Sequence, residues 1–185
     1  MNTTLHTTET APAGSRPLLE GVNQAYGFIP NLLASLAEAP AALEGYLALS
    51  KIYGNTSFSA TEQQVVSITA SIDNGCTYCV AAHTTISQGQ QVDAAVLDAL
   101  RNEEPLTDPK LEALRNFALA VVRDRGWVNE QDQSAFLAAG YSAAQALEVV
   151  LGVTLKTLTN YTNHLFETPV DAPFQANAWS APQPA

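Results

Sequence analysis

Positive charge is scarce in this chain. Eight Lys and Arg stand against eighteen Asp and Glu, a formal net charge of −10. No basic cluster occurs anywhere in the sequence, which argues against nucleic acid or an anionic membrane surface as a partner. Also missing is any run of about 20 apolar residues, so no stretch reads as a membrane-spanning helix. Met1 to Ser15 is Thr-rich, uncharged at its start and without the apolar segment of a secretory signal, so the cytoplasm is the expected compartment. No alternating strand pattern flanked by hairpin turns appears. Cysteine is nearly absent, with only Cys76 and Cys79. In an unexported protein, one Cys-x-x-Cys pair reads as redox-active or metal-binding rather than as a structural staple.

What is present favours helices. The chain has 185 residues, enough for one domain with a sizeable core. Hydrophobic residues make up 46% and charged residues only 14%, and the apolar share is rich in alanine. So little charge also suggests that another subunit covers part of the surface. Residues 1–15 read as a disordered tail holding an inert His6, and residues 16–170 as a single all-α domain. Residues 171–185 read as a Pro-rich tail with Pro173, Pro182 and Pro184.

Within the domain, Leu18, Leu19, Val22 and Tyr26 predict a first helix ended by Gly27. Pro30 opens a second, with Leu32, Leu33 and Leu36. Pro40 starts a third, with Leu43, Tyr46, Leu47 and Leu49 to Ile52 facing inward and Gly54-Asn55 ending it. Ser59-Ala60-Thr61-Glu62 is a capping box for a fourth helix running to Asp73. Asn74-Gly75 stops it, and a fifth helix follows from Cys76 to Gly89. Further helices are expected over Val92–Asn102, from Asp108-Pro109 to Gly126, over Asn129–Ala139 and over Ser142–Glu167. A shift of 84 residues places Glu148-Val149-Val150 on Gln64-Val65-Val66 and Asn160 and Asn163 on the two cysteines, suggesting an internal pseudo-repeat.

The chemistry concentrates in Asn74-Gly75-Cys76-Thr77-Tyr78-Cys79-Val80-Ala81-Ala82-His83. A histidine four residues after Cys79 lies one turn away on the same helical face, within reach of the Cys79 proton directly or through a water. Cys76 is seven residues from His83, nearly two turns away. Cys79 is therefore the expected attacking thiol and Cys76 the resolving thiol, which condenses with a sulfenic acid on Cys79. A helix N-terminus also favours the thiolate. Other readings of the pair are a zinc site completed by His83 with His164 or His6, and buried cysteines that merely fill the core. Tyr78 reads as a pocket wall. His164 and Asn160 in the last helix are candidates to line the same pocket. Trp127 and Trp179 are too far apart in sequence to mark a binding site.

These residues, with Glu62-Gln63-Gln64-Val65-Val66 before them, resemble the alkyl hydroperoxidase D-like branch of the carboxymuconolactone decarboxylase superfamily. Gly140-Tyr141, Glu148-Val149-Val150 and Asn160-Tyr161-Thr162-Asn163-His164 extend the likeness over most of residues 20–175. The resemblance implies an all-α bundle forming dimers, trimers or hexamers. It further implies a peroxiredoxin-like oxidoreductase whose second cysteine attacks a hydroperoxide. Such an enzyme is regenerated by an external dithiol, with no cofactor, haem or metal. The lactone decarboxylases of the superfamily lack the cysteine pair. The family often carries a glutamate twelve residues before the first cysteine, where this chain has Gln64. An amide can orient His83 but cannot take up a proton at neutral pH. Glu148 is a candidate substitute. Glu62 is a weaker one, since it faces away from Gln64 and fits the capping box. The alternatives to peroxidase are a general disulfide oxidoreductase, which Gln64 favours, and a non-catalytic metal-binding or oligomeric protein.

Overall fold

The computed structural model describes residues 4–181. Its helices are α1 (Arg16–Tyr26), α2 (Asn31–Leu36), α3 (Pro40–Gly54), α4 (Ala60–Asp73), α5 (Thr77–Gly89), α6 (Ala94–Arg101), α7 (Pro109–Arg123), α8 (Glu130–Ala138) and α9 (Ala143–Phe166). A 3-10 helix, Ala172–Asn177, follows, and among the described residues there is no strand. The fold is all-α, as expected.

Capping residues set many of the boundaries. The Ser59 and Glu62 side chains cap α4 reciprocally, and Ser142 and Gln145 do the same for α9. Asp93, Asp108 and Asn129 each accept a backbone N–H at the start of α6, α7 and α8. In α3 the inward residue near the C-terminus is Tyr53, at 5% exposure, and not Ile52, at 55%.

Helix α4 is the hub, packing on α5, α6, α7 and α9. Its residues from Gln64 to Ser71 are all buried, including four polar ones: Gln64, Ser67, Thr69 and Ser71. One apolar cluster joins α4 to α6, α7, α8 and α9 through Val65, Ile68, Leu114, Phe136 and Val149. A second gathers α1, α2, α3 and α5 around Leu19, Leu33, Leu43, Cys79 and Phe174. Tyr46 packs against both, so the site lies at their seam.

Both tails depart from expectation. Residues 4–15 are not a disordered tail where they are described. The His6 N–H donates to the Ala34 carbonyl, the His6 ring meets Glu38 at 2.7 Å, and Ala11 and Ser15 are buried. At the other end, Asp171 accepts the Asn31 N–H at the start of α2, and Trp179 Nε1 donates to the Arg101 carbonyl. Pro173 lies in the 3-10 helix, whereas Pro182 and Pro184 lie outside the described residues. The suggested pseudo-repeat pairs two helices broken at Asn74-Gly75 with α9, which runs unbroken through the matching positions. It therefore does not recur as a helix–turn–helix.

Gly152 lets α9 approach α3. A Cβ there would lie 2.8 Å from the Tyr53 ring, whose hydroxyl donates to the Gln63 carbonyl. Gly152→Ala should destabilise the fold, overpacking of about 1–3 kcal/mol outweighing a helix-propensity gain of up to about 1 kcal/mol. In urea the unfolding midpoint should fall with an unchanged m-value; a raised midpoint would mean that Tyr53 yields freely.

Candidate active site

Two backbone bonds place the cysteines. At the end of α4 the Gly75 N–H reaches the Ile72 carbonyl and the Cys76 N–H reaches the Ser71 carbonyl, each at 2.8 Å. This Schellman ending needs a left-handed residue, and Gly75 supplies it with φ +69. Cys76 is thereby both the last residue of that motif and the N-cap of α5. Cys79 follows in the first turn, where the unpaired N–H groups favour an anion. Asn74 Nδ2 donates to Asn160 Oδ1 at 3.0 Å and ties the turn to α9.

A cavity of about 510 Å³ opens onto Cys79 but is not lined by Cys76. Tyr26, Phe28, Tyr46, Tyr53, Tyr78 and Phe174 supply aromatic wall. Burial pushes the Tyr46 and Tyr53 hydroxyls above their usual range, so both stay protonated. The Tyr78 hydroxyl donates to Asp171 at 2.5 Å and accepts the Leu32 N–H, while its ring stands edge-on to Phe174. Tyr78 is a wall, as its position between the thiols suggested, and the C-terminal segment braces it.

Both cysteines are free thiols and buried. Burial alone would raise the Cys79 pKa, but the Cys76 hydrogen bond and the Lys156 charge, with help from Thr159 and Asn160, bring it down to about 5. The Cys76 thiol moves the other way, because it gives its hydrogen bond to Cys79 and is itself buried. Asn163 Nδ2 bridges the pair, donating to Cys79 Sγ at 3.3 Å and Cys76 Sγ at 3.6 Å. Thr159 Oγ1 lies 3.7 Å from Cys79 Sγ.

His83 is engaged elsewhere. Its Nδ1 meets Gln64 Oε1 at 2.8 Å and its Nε2 meets Lys156 Nζ at 2.7 Å. An amide oxygen can only accept and an ammonium can only donate, so this network assigns a neutral ring protonated on Nδ1. Burial and the Lys156 charge hold the His83 pKa well below its ordinary value, in agreement with that assignment. Gln64 Nε2 continues the chain to Gln90 Oε1 at 3.0 Å. The expected acceptor of the Cys79 proton is thus hydrogen-bonded to Gln64 and Lys156, and the Cys79 thiolate is favoured by Cys76 and Lys156.

Of the other candidates, Gln64 reaches the site and Glu148, Glu62, His164 and His6 do not. Glu148 is no substitute relay, because its carboxylate accepts the Ser57 N–H and hydroxyl at 2.9 and 2.6 Å. Glu62 caps α4 and accepts the Tyr141 hydroxyl. His164 is exposed beside Tyr161 rather than in the cavity, and His6 pairs with Glu38. The histidines needed for a zinc site are therefore not brought to the thiols, and the described residues contain no group of three or more His, Cys, Asp or Glu placed to hold a metal ion. Lys156, Thr159 and Asn163 were missed as site residues. Their signal was the polar stripe Lys156, Thr159, Asn160, Asn163 at helical spacing in α9, all at 4% exposure or less.

The carboxymuconolactone decarboxylase family pattern matches residues 34–120, which takes in Gln64, both cysteines and His83. This likeness to the carboxymuconolactone decarboxylase family spans just under half of the chain. Helix α9, with Lys156, lies beyond the matched segment. Among solved structures, an uncharacterised peroxidase-related protein from Ralstonia eutropha JMP134 with an alkylhydroperoxidase AhpD core superposes with a TM-score of 0.83 at 22% identity, covering 94% of this chain and 93% of its own. A peroxidase-related protein from Silicibacter sp. TM1040 gives 0.80 at 18% identity, with 96% and 94% covered. The debrominase Bmp8 in complex with 2,3,4-tribromopyrrole gives 0.79 at 18% identity, with 96% and 95% covered. These likenesses establish an AhpD-like fold. No curated protein sequence matches the chain. No single helix among the described residues is long and apolar enough to cross a membrane.

The Asn163 contacts can be tested directly. Asn163→Ala should slow iodoacetamide alkylation of Cys79 at about pH 6 by roughly two- to fifteenfold, since losing a hydrogen bond of about 1.5–3 kcal/mol to the thiolate moves its pKa from about 5 to about 6–7. An unchanged rate profile would mean that this amide does not stabilise the thiolate.

Proposed function

We propose that the protein is a thiol-dependent peroxidase that reduces hydroperoxides through a Cys76/Cys79 dithiol–disulfide cycle. The observation that carries this reading is the asymmetry of the pair. Cys79 faces the cavity as the more acidic thiol, while Cys76 sits behind it and donates to it. The Cys79 thiolate attacks a peroxide oxygen, forming the S–O bond as the O–O bond breaks. The leaving oxygen takes a proton from the Lys156–His83 pair. Cys76 then loses its proton and attacks the Cys79 sulfenic sulfur, forming the disulfide and releasing water. An external dithiol gives two electrons and two protons, restoring the Cys79 thiolate, the Cys76 thiol and the proton of the Lys156–His83 pair.

This reading keeps His83 as an assistant, through its hold on Lys156 rather than by contact with Cys79. Its partners are a hydroperoxide and a dithiol reductant. A homo-oligomer is also proposed, for which Leu147, Val150 and Tyr161 on α9 offer exposed apolar surface.

A second reading has its own support. An aromatic-lined cavity of about 510 Å³ is far larger than hydrogen peroxide requires. A dithiol there could also reduce an aryl bromide, as the structural likeness to a debrominase suggests. The two electrons of the pair and one proton would replace bromide by hydrogen, leaving the disulfide.

Peroxide consumption driven by dithiothreitol distinguishes these outcomes. The wild type should turn over, Cys79→Ser should fall to background, and Cys76→Ser should stop after one equivalent with a trappable sulfenic acid. Full activity in Cys79→Ser would sink the mechanism. A disulfide that forms and is reduced without peroxide turnover would leave a general disulfide oxidoreductase, and bromide release from tribromopyrrole would favour the second reading.

A further inference from the structure

We propose that Lys156 sets the reduction potential of the Cys76–Cys79 couple, its buried ammonium favouring the reduced form and making the disulfide a strong oxidant. This inference rests on the dithiol–disulfide reading above but not on peroxide as the substrate.

Lys156 is 2% exposed and, among the described residues that line the cavity, is the only Lys, Arg, Asp or Glu. Its hydrogen-bond partner is the neutral His83 ring, which carries no negative charge to oppose it. Gln64 and Gln90, next along the chain, are amides, and Tyr46 and Tyr53 are protonated. Thr159, Asn160 and Asn163, which surround the sulfurs from α9, are neutral as well. The buried Asp171 carboxylate behind the cavity wall is taken by the Tyr78 hydroxyl and the Asn31 N–H, so the anion these groups leave for Lys156 is the Cys79 thiolate.

That anion exists in only one redox state. Reduction of the disulfide by two glutathione thiols breaks the S–S bond and yields the Cys79 thiolate, the Cys76 thiol, glutathione disulfide and one released proton. Oxidation removes the thiolate and leaves the ammonium buried beside neutral groups. A charge that stabilises only the reduced product shifts the exchange toward it, which is how a disulfide becomes strongly oxidising. Asn163 and the α5 N-terminus also favour the thiolate, but as dipoles that a disulfide leaves without a buried net charge.

The experiment is a glutathione redox titration of the full chain, read by thiol alkylation and mass, for wild type, Lys156→Met, Lys156→Gln and Lys156→Arg. In wild type the reduction equilibrium should rise about tenfold per pH unit between about pH 6 and pH 7.5, because one proton is released while glutathione itself stays protonated. Lys156→Met and Lys156→Gln should lower the constant at about pH 7 by roughly ten- to a hundredfold, about 30–60 mV, and flatten its pH dependence as Cys79 retains its proton. Lys156→Arg, which keeps the charge, should restore much of the constant. Circular dichroism confirms folding of each variant, and either neutral variant suffices for the comparison. A neutral, folded variant that titrates with the wild-type constant and slope overturns the proposal. A wild type that forms no disulfide at any glutathione ratio instead overturns the dithiol reading beneath it. A disulfide that titrates as described without peroxide turnover supports the role of Lys156 and removes only the peroxidase assignment.

Discussion

The contact between Lys156 and His83 is the constraint on which the site depends. A buried ammonium is costly unless it is hydrogen-bonded and its charge is answered. The His83 ring answers the first need with Nε2 at 2.7 Å, and burial together with the Lys156 charge holds that ring neutral. It cannot answer the second. The burden falls on sulfur, and Cys79 is drawn toward thiolate in a setting whose desolvation alone would push it toward thiol. Two groups with opposite tendencies under burial are thus each kept in the form that suits the other.

The fold exists around this pairing in a specific sense. Helix α4 ends in a Schellman turn that starts α5 at Cys76, so the two helices cross at an angle fixed by Gly75 and by two backbone bonds. Helix α9 supplies the opposing wall, and its inward face is polar where a core helix would be apolar. Lys156, Thr159, Asn160 and Asn163 point in, while Leu147, Val150 and Tyr161 point out. Asn160 holds the α4–α5 turn through Asn74 and Ser71, so one side chain of α9 registers that helix against both cysteines. Gly152 lets α9 settle close to Tyr53 of α3, whose ring lines the cavity.

Much of this could be read from residues close together in the chain. Caps and stops located the helices because a capping box or an Asn-Gly step acts within four residues. Helical spacing ranked Cys79 ahead of Cys76 as the reactive thiol, and it is Cys79 that lines the cavity. What failed were pairings across the chain. Spacing alone put His83 beside Cys79, but Gln64 and Lys156 approach that ring from two other helices. Glu148 aligned with Gln64 by a shift of register, yet Ser57 takes its carboxylate. His164 sits about 100° around the helix from Asn163, enough to turn it from the pocket to solvent. The tails were judged by composition. Composition carries no information about the Tyr78–Asp171 or His6–Glu38 bonds that hold them.

Gln64 and Lys156 also explain one another. A glutamate at position 64 would place a carboxylate on the other nitrogen of His83, where it could answer the lysine charge through the ring. Gln64 keeps the hydrogen bond and so the orientation of the imidazole, but brings no charge. The positive charge of Lys156 is then left uncompensated on that side and acts on Cys79 instead. In the proposed cycle, α4 offers His83 no proton acceptor, and a cation from α9, outside the segment matched by the family pattern, favours the thiolate instead.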